Sequence, residues 1–143
     1  MMILAVLISA FSLLQSSHIN TDRKGLALQG YDPVSYFSGE PIKGLAEIEF
    51  AFQGTKYYFS SADNKETFSK NPSKYAPQYG GWCAYAMGLG TDKVKINPMT
   101  YKVVEGKLYL FYDFKGTNTL VPWNENEGSL MKEANKNWEK ITK

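Results

Sequence analysis

Cys83 is the only cysteine in the chain, and Met87 follows it four residues later. A thiolate and a thioether make the soft donor pair that suits Cu(I), with Met99 a conceivable third sulfur ligand. The stretch around them, YGGWCAYAMGLG over residues 79–90, places Gly80-Gly81 ahead of a short helix expected from Trp82 to Met87 and ended by Gly88. Cys83 would fall in its first turn, near the positive end of the helix dipole, where the reactive thiolate is favoured. Met87 would share its face. The same two residues also read as packing, because free cysteine is among the most buried residue types and methionine fills irregular core space. Burial, a soft-metal site and a reactive thiol are therefore the three readings of this pair.

Asp32, in Gly30-Tyr31-Asp32-Pro33, is the second candidate. A carboxylate before proline either caps the next turn or faces a cleft beside Tyr31 and Tyr36 and takes a polar ligand. Acid–base catalysis wants a second titratable group nearby, and none stands out by its spacing. There is no Ser-His-Asp set, metalloprotease helix or phosphate-cradling glycine loop. Binding without conventional catalysis is the expectation. A thiol-dependent redox protein or enzyme using Cys83 is the alternative, and a protein-interaction module presenting tyrosines is a further one.

Aromatic rings are the third signal. Tyr57, Tyr58, Phe59, Tyr75, Tyr79, Trp82 and Tyr85 crowd the middle of the chain. Most are expected in the core or at its edge; the rest would line a pocket for a flat or cationic ligand. Asp32, Tyr36, Tyr79 and Trp82 form the expected ligand-binding set, and Cys83 with Met87 the candidate metal pair. The single histidine, His18, offers one more option. Cleavage after Gln15 would leave Ser16-Ser17-His18 at the amino terminus, a sequence that binds Cu(II) in a square plane.

At 143 residues, with 43% hydrophobic and 15% aromatic content, the chain can build one real core. Its 16 basic and 14 acidic residues are spread along it for a net charge of +2, which leaves no basic stripe for nucleic acid and no polybasic patch for a membrane surface. Residues 1–17 contain no charged side chain, and the run from Ile3 to Leu14 has the length of a secretory signal's central region. Export, to the periplasm or outside the cell, is expected, and a retained membrane anchor is the competing reading. An exported chain with one cysteine must fold without an internal disulfide.

The division expected is a signal peptide over 1–17, a polar lead-in over 18–28 and one domain over 29–143. Within that domain Ile48, Phe50 and Phe52 alternate with Glu47, Glu49 and Ala51, the period of a half-buried strand, and Lys56-Tyr57-Tyr58-Phe59 returns after Gln53-Gly54. Ser60-Ser61-Ala62-Asp63 opens a helix that carries Phe68 inward and stops before Asn71-Pro72. Lys74 to Tyr79 reads as an ordered aromatic loop. A second hairpin pairs Tyr101-Lys102-Val103-Val104 with Leu108-Tyr109-Leu110-Phe111 across Glu105-Gly106-Lys107. From Glu125 onward Leu130, Ala134, Trp138 and Ile141 fall at helical spacing. The fold class is α+β: a small antiparallel sheet of two hairpins, short helices, and a C-terminal amphipathic helix packed on it.

With those pieces placed, the chain resembles small exported proteins built on a YHS domain. The residues that carry the likeness are Gly30-Tyr31-Asp32-Pro33-Val34-Ser35-Tyr36-Phe37, Gly54 to Ser61, Phe68, Asn71-Pro72-Ser73-Lys74-Tyr75, Gly80-Gly81-Trp82-Cys83-Ala84, Gly106 to Leu110, and Trp138. The resemblance implies a compact hairpin-and-helix unit, which in some members accompanies copper-transporting ATPases and other metal-handling proteins. In those members the segment after the second strand reads close to Phe-Cys-Ser-x-x-Cys-Lys. Here Phe59 to Lys65 puts Ser60 and Asn64 where the two thiols would be. Neutral Ser and Asn do not replace thiolates for a soft ion. A small ligand or a metal ion, with copper the metal of choice, is the partner expected.

Overall fold

The computed structural model describes residues 18–143. The leader read over residues 1–17 lies outside them. Among the described residues no helix is long and apolar enough to cross a membrane.

The two expected hairpins form. β1 (Leu45–Phe52) pairs antiparallel with β2 (Thr55–Phe59), and β3 (Asn97–Val104) with β4 (Lys107–Phe111). A third, β5 (Asp113–Phe114) with β6 (Thr117–Asn118), escapes sequence reading because its strands are two residues long. All three close on a two-residue turn of X-Gly type: Gln53-Gly54, Glu105-Gly106 and Lys115-Gly116. Both turn residues have positive φ, the geometry that matches the twist of antiparallel strands and that glycine adopts without strain. The hairpins remain separate two-stranded sheets rather than one continuous ladder.

Helices join them into one body. α1 (Ala62–Lys70) begins where expected: Ser61 caps it by accepting the Asn64 N–H at 3.1 Å, and Asp63 lies in the first turn. α2 (Pro72–Tyr75) is a single helical turn opened by proline, within what the sequence presents as loop. α4 (Leu120–Glu125) and α5 (Glu127–Thr142) follow β6, divided at Asn126.

α3 (Ala84–Leu89) corrects the sequence reading at both ends. Cys83 is its N-cap, with φ −57° and ψ 118°, and lies outside the helical turn. Gly88 does not stop the helix but lies within it, where α3 meets α5. A Cβ there would stand 2.9 Å from Leu130 Cδ2 and 3.0 Å from the Leu130 carbonyl oxygen. Close approach of two helices, not chain termination, requires that glycine.

β4 is buried along Leu108–Phe111 and divides the core. Tyr109 and Phe111 point to one side, where Tyr79, Met87, Trp123 and Ala134 of α5 pack. Leu108 and Leu110 point to the other, with Leu28, Tyr36, Cys83 and Ile96. The alternation of a strand covered on both faces explains why this run reads as continuously apolar. A third cluster gathers under the first hairpin around Phe68, with Ala27, Val34, Tyr57 and Phe59. Residues 18–28, read as a lead-in, are tied to the body. Ala27 and Leu28 are buried, and the Ala27 N–H donates to the Lys56 carbonyl at 2.9 Å.

Candidate functional site

Asp32 sits in the tight turn before Pro33, fully buried, and its carboxylate draws three elements together. Oδ1 accepts the Val34 N–H at 2.8 Å and the Ser35 N–H at 3.3 Å, the capping role expected of a carboxylate before proline. Oδ2 accepts the Ser60 N–H, the Ser60 hydroxyl and the Asn64 side-chain amide, each at 2.8 Å. Ser60 follows the end of β2 and Asn64 lies in the first turn of α1. The loop of residue 32, the return strand of the first hairpin and the start of α1 are thus pinned to one group.

Every donor to Asp32 is neutral. A carboxylate offers about four lone-pair positions, and here it receives two hydrogen bonds on Oδ1 and three on Oδ2. A buried charge is tolerated only when hydrogen-bonded in this way. Ser60 and Asn64 are neighbours, with the amide nitrogen 3.4 Å from the Ser60 hydroxyl. Where the resemblance would put two thiolates around an ion, this chain has two neutral side chains hydrogen-bonded to a carboxylate.

The sulfur pair is not brought together. Because Cys83 is the N-cap and not a helical residue, the one-face relation to Met87 does not hold. Both side chains are buried, but Cys83 packs in the cluster on the Leu108 and Leu110 side of β4 and Met87 in the one on the Tyr109 and Phe111 side. Met99 lies on β3 and is exposed.

The thiol of Cys83 is also engaged. Its sulfur accepts the Tyr112 N–H at 3.3 Å and lies 3.4 Å from the Thr119 hydroxyl. Thr119 gives its one hydroxyl proton to the Tyr112 carbonyl at 2.8 Å, so the thiol is the donor to Thr119. The three bonds close a ring that fixes the sulfur in place. Among the described residues no three or more His, Cys, Asp or Glu side chains gather as a metal-binding group.

The other expected residues have separate places. Tyr36 is buried, donates to the Pro98 carbonyl at 2.7 Å and meets Tyr101 edge-on at 5.0 Å; burial pushes its phenol far up. The Trp82 indole donates to the His18 carbonyl at 2.7 Å and so holds the amino-terminal segment to the body.

Tyr79 has φ 56°, a left-handed conformation uncommon for a bulky residue. Its hydroxyl donates to Asn135 Oδ1 at 2.8 Å, and burial pushes that phenol up as well. Next to it, Gly80 admits α5: a Cβ there would stand 2.7 Å from the Trp138 ring and 2.8 Å from the His18 carbonyl oxygen.

Of the four residues expected to bind ligand, Tyr79 opens onto a cleft. This cleft, of about 310 Å³, lies between the turn of the first hairpin, residues 73–80 and α5. Phe52, Tyr57, Tyr79 and Trp138 give it aromatic walls, and Thr55, Ser73 and Gln78 contribute polar groups. Among the described residues no charged one lines it. Sequence reasoning noted the rings but missed Thr55, which carries no signal as a lone hydroxyl at a strand start.

Residues 34–79 match the family model of the YHS domain. Over that segment the chain is similar to the YHS domain. The matched segment contains the first hairpin, α1, α2, both Asp32 partners on Oδ2, and Tyr79; Asp32 itself stands two residues ahead of it, and Cys83 and Met87 lie beyond it. No curated protein and no solved structure matches the chain. Copper, the metal tied to YHS domains, does not fit the side chains at the Ser60 and Asn64 positions, because their carboxylate partner has its lone pairs in use and neither group is a thiolate.

Proposed function

We propose that this YHS-like chain is an exported, non-catalytic binding protein that takes a small organic ligand in place of copper. The observation that carries the reading is the saturated carboxylate of Asp32, which occupies the place of a thiolate clamp with protein hydrogen bonds. The Cys83 thiol, hydrogen-bonded on both sides and separated from Met87, supports it. Export is supported by the uncharged apolar run ahead of His18.

Titration with Cu(I) against a competing chelator such as bicinchoninate tests the reading. The purified protein is expected to leave copper with the chelator, and a Cys83→Ser, Met87→Leu double variant is expected to behave identically. One equivalent of Cu(I) retained by the parent and lost by the variant would refute it.

A further inference from the structure

Thr55 is 2% exposed, and among the described residues its Oγ1 is the one buried side-chain oxygen or nitrogen without a hydrogen-bond partner. An orphaned buried hydroxyl costs free energy that packing alone does not return, so it calls for a partner from outside the chain. Thr55 lines the aromatic cleft. Beside it in the same cleft is Tyr57, whose phenol is pushed up to about 12 by burial alone and so stays a neutral donor across the physiological range. Tyr79, another lining residue, is held in a left-handed conformation and adds strain at the same place.

We infer that this cleft binds a small, uncharged, planar ligand with a hydrogen-bonding edge, an aromatic amide in class, its ring held among Phe52, Tyr79 and Trp138 and its polar edge on the Thr55 and Tyr57 hydroxyls. The volume of about 310 Å³ is at the lower end of ligand pockets and suits a single ring with a short substituent. The lining decides against ions: an anion or cation would lose its hydration and find no counter-charge. A hydroxyl both donates and accepts, so the Thr55 oxygen answers either half of an amide.

The inference rests on the reading of the chain as an organic-ligand binder, and benzamide tests it. Amide and indole NMR shifts on titration are expected to saturate and to map to Thr55, Tyr57, Tyr79 and Trp138. Benzoate and benzylammonium, its charged counterparts, are expected to bind at least about tenfold more weakly. Thr55→Val keeps the β-branched shape and removes the orphan. It should weaken benzamide about five- to tenfold while leaving the thermal midpoint unchanged or a few degrees higher.

Shifts that do not saturate, equal binding by Thr55→Val, or a lowered midpoint in that variant would each overturn the site. Copper retained in the chelator titration would instead count against the metal-free reading, so the two failures are separable.

Discussion

Asp32→Ala is expected to remove about 3–5 kcal/mol of folding stability, measured by urea unfolding, an effect at the far end of those seen for single substitutions. Hydrogen bonds to a charged acceptor contribute more than neutral ones, roughly 1.5–3 kcal/mol each net of the exchange with water. The variant would leave the Val34 and Ser60 N–H groups and the Asn64 amide facing a void without an acceptor. It would also unfasten the junction of the residue-32 turn, the end of β2 and the start of α1. Ser60→Ala removes one of these bonds and keeps the rest, so about 1 kcal/mol is expected of it. If Asp32→Ala and Ser60→Ala cost the same, the carboxylate would not be the organising group.

Phe68→Ala is expected to cost about 3–5 kcal/mol, again by chemical unfolding, through the cavity it leaves under the first hairpin. Phe68 is fully buried. Its ring packs against Tyr57 at 4.8 Å, Phe59 at 5.2 Å, Phe50 at 6.0 Å and Phe52 at 6.4 Å. Four rings lose their common partner at once. Phe68→Leu, which keeps most of the volume, should cost less than about 1.5 kcal/mol. Phe52 and Tyr57 wall the cleft, so the alanine variant should also weaken benzamide binding in whatever fraction remains folded.

The parts of this fold that could be read from sequence are those where neighbours in the chain determine the outcome. Ile48, Phe50 and Phe52 alternate because one face of β1 covers Phe68 and its cluster, and the X-Gly turns announce the first two hairpins. Ser61 caps α1 because its hydroxyl and the Asn64 N–H are three residues apart. Long-range placement was not legible. The Asp32 carboxylate meets Ser60 and Asn64 across separations of 28 and 32 residues, and nothing local marks them as its partners.

Cys83 and Met87 show the limit from the other side. Their spacing of four suggests one helical face, but it predicts a shared site only if both residues are helical. The non-helical backbone at Cys83, held by its N–H bond to the Val94 carbonyl at 2.9 Å, leaves the sulfur on the other side of β4. Thr55 was invisible for a further reason: its significance lies in the partner it lacks.

Amide hydrogen exchange at Val34 and Ser60 in metal-free protein gives the most immediate check on a domain organised by a hydrogen-bonded carboxylate. Both amides donate to Asp32 at 2.8 Å, and they are expected to exchange as slowly as Leu110 in the middle of the core, only through global unfolding. Exchange orders of magnitude faster than at Leu110, slowing when Cu(I) is added, would contradict it and return this region to a metal site.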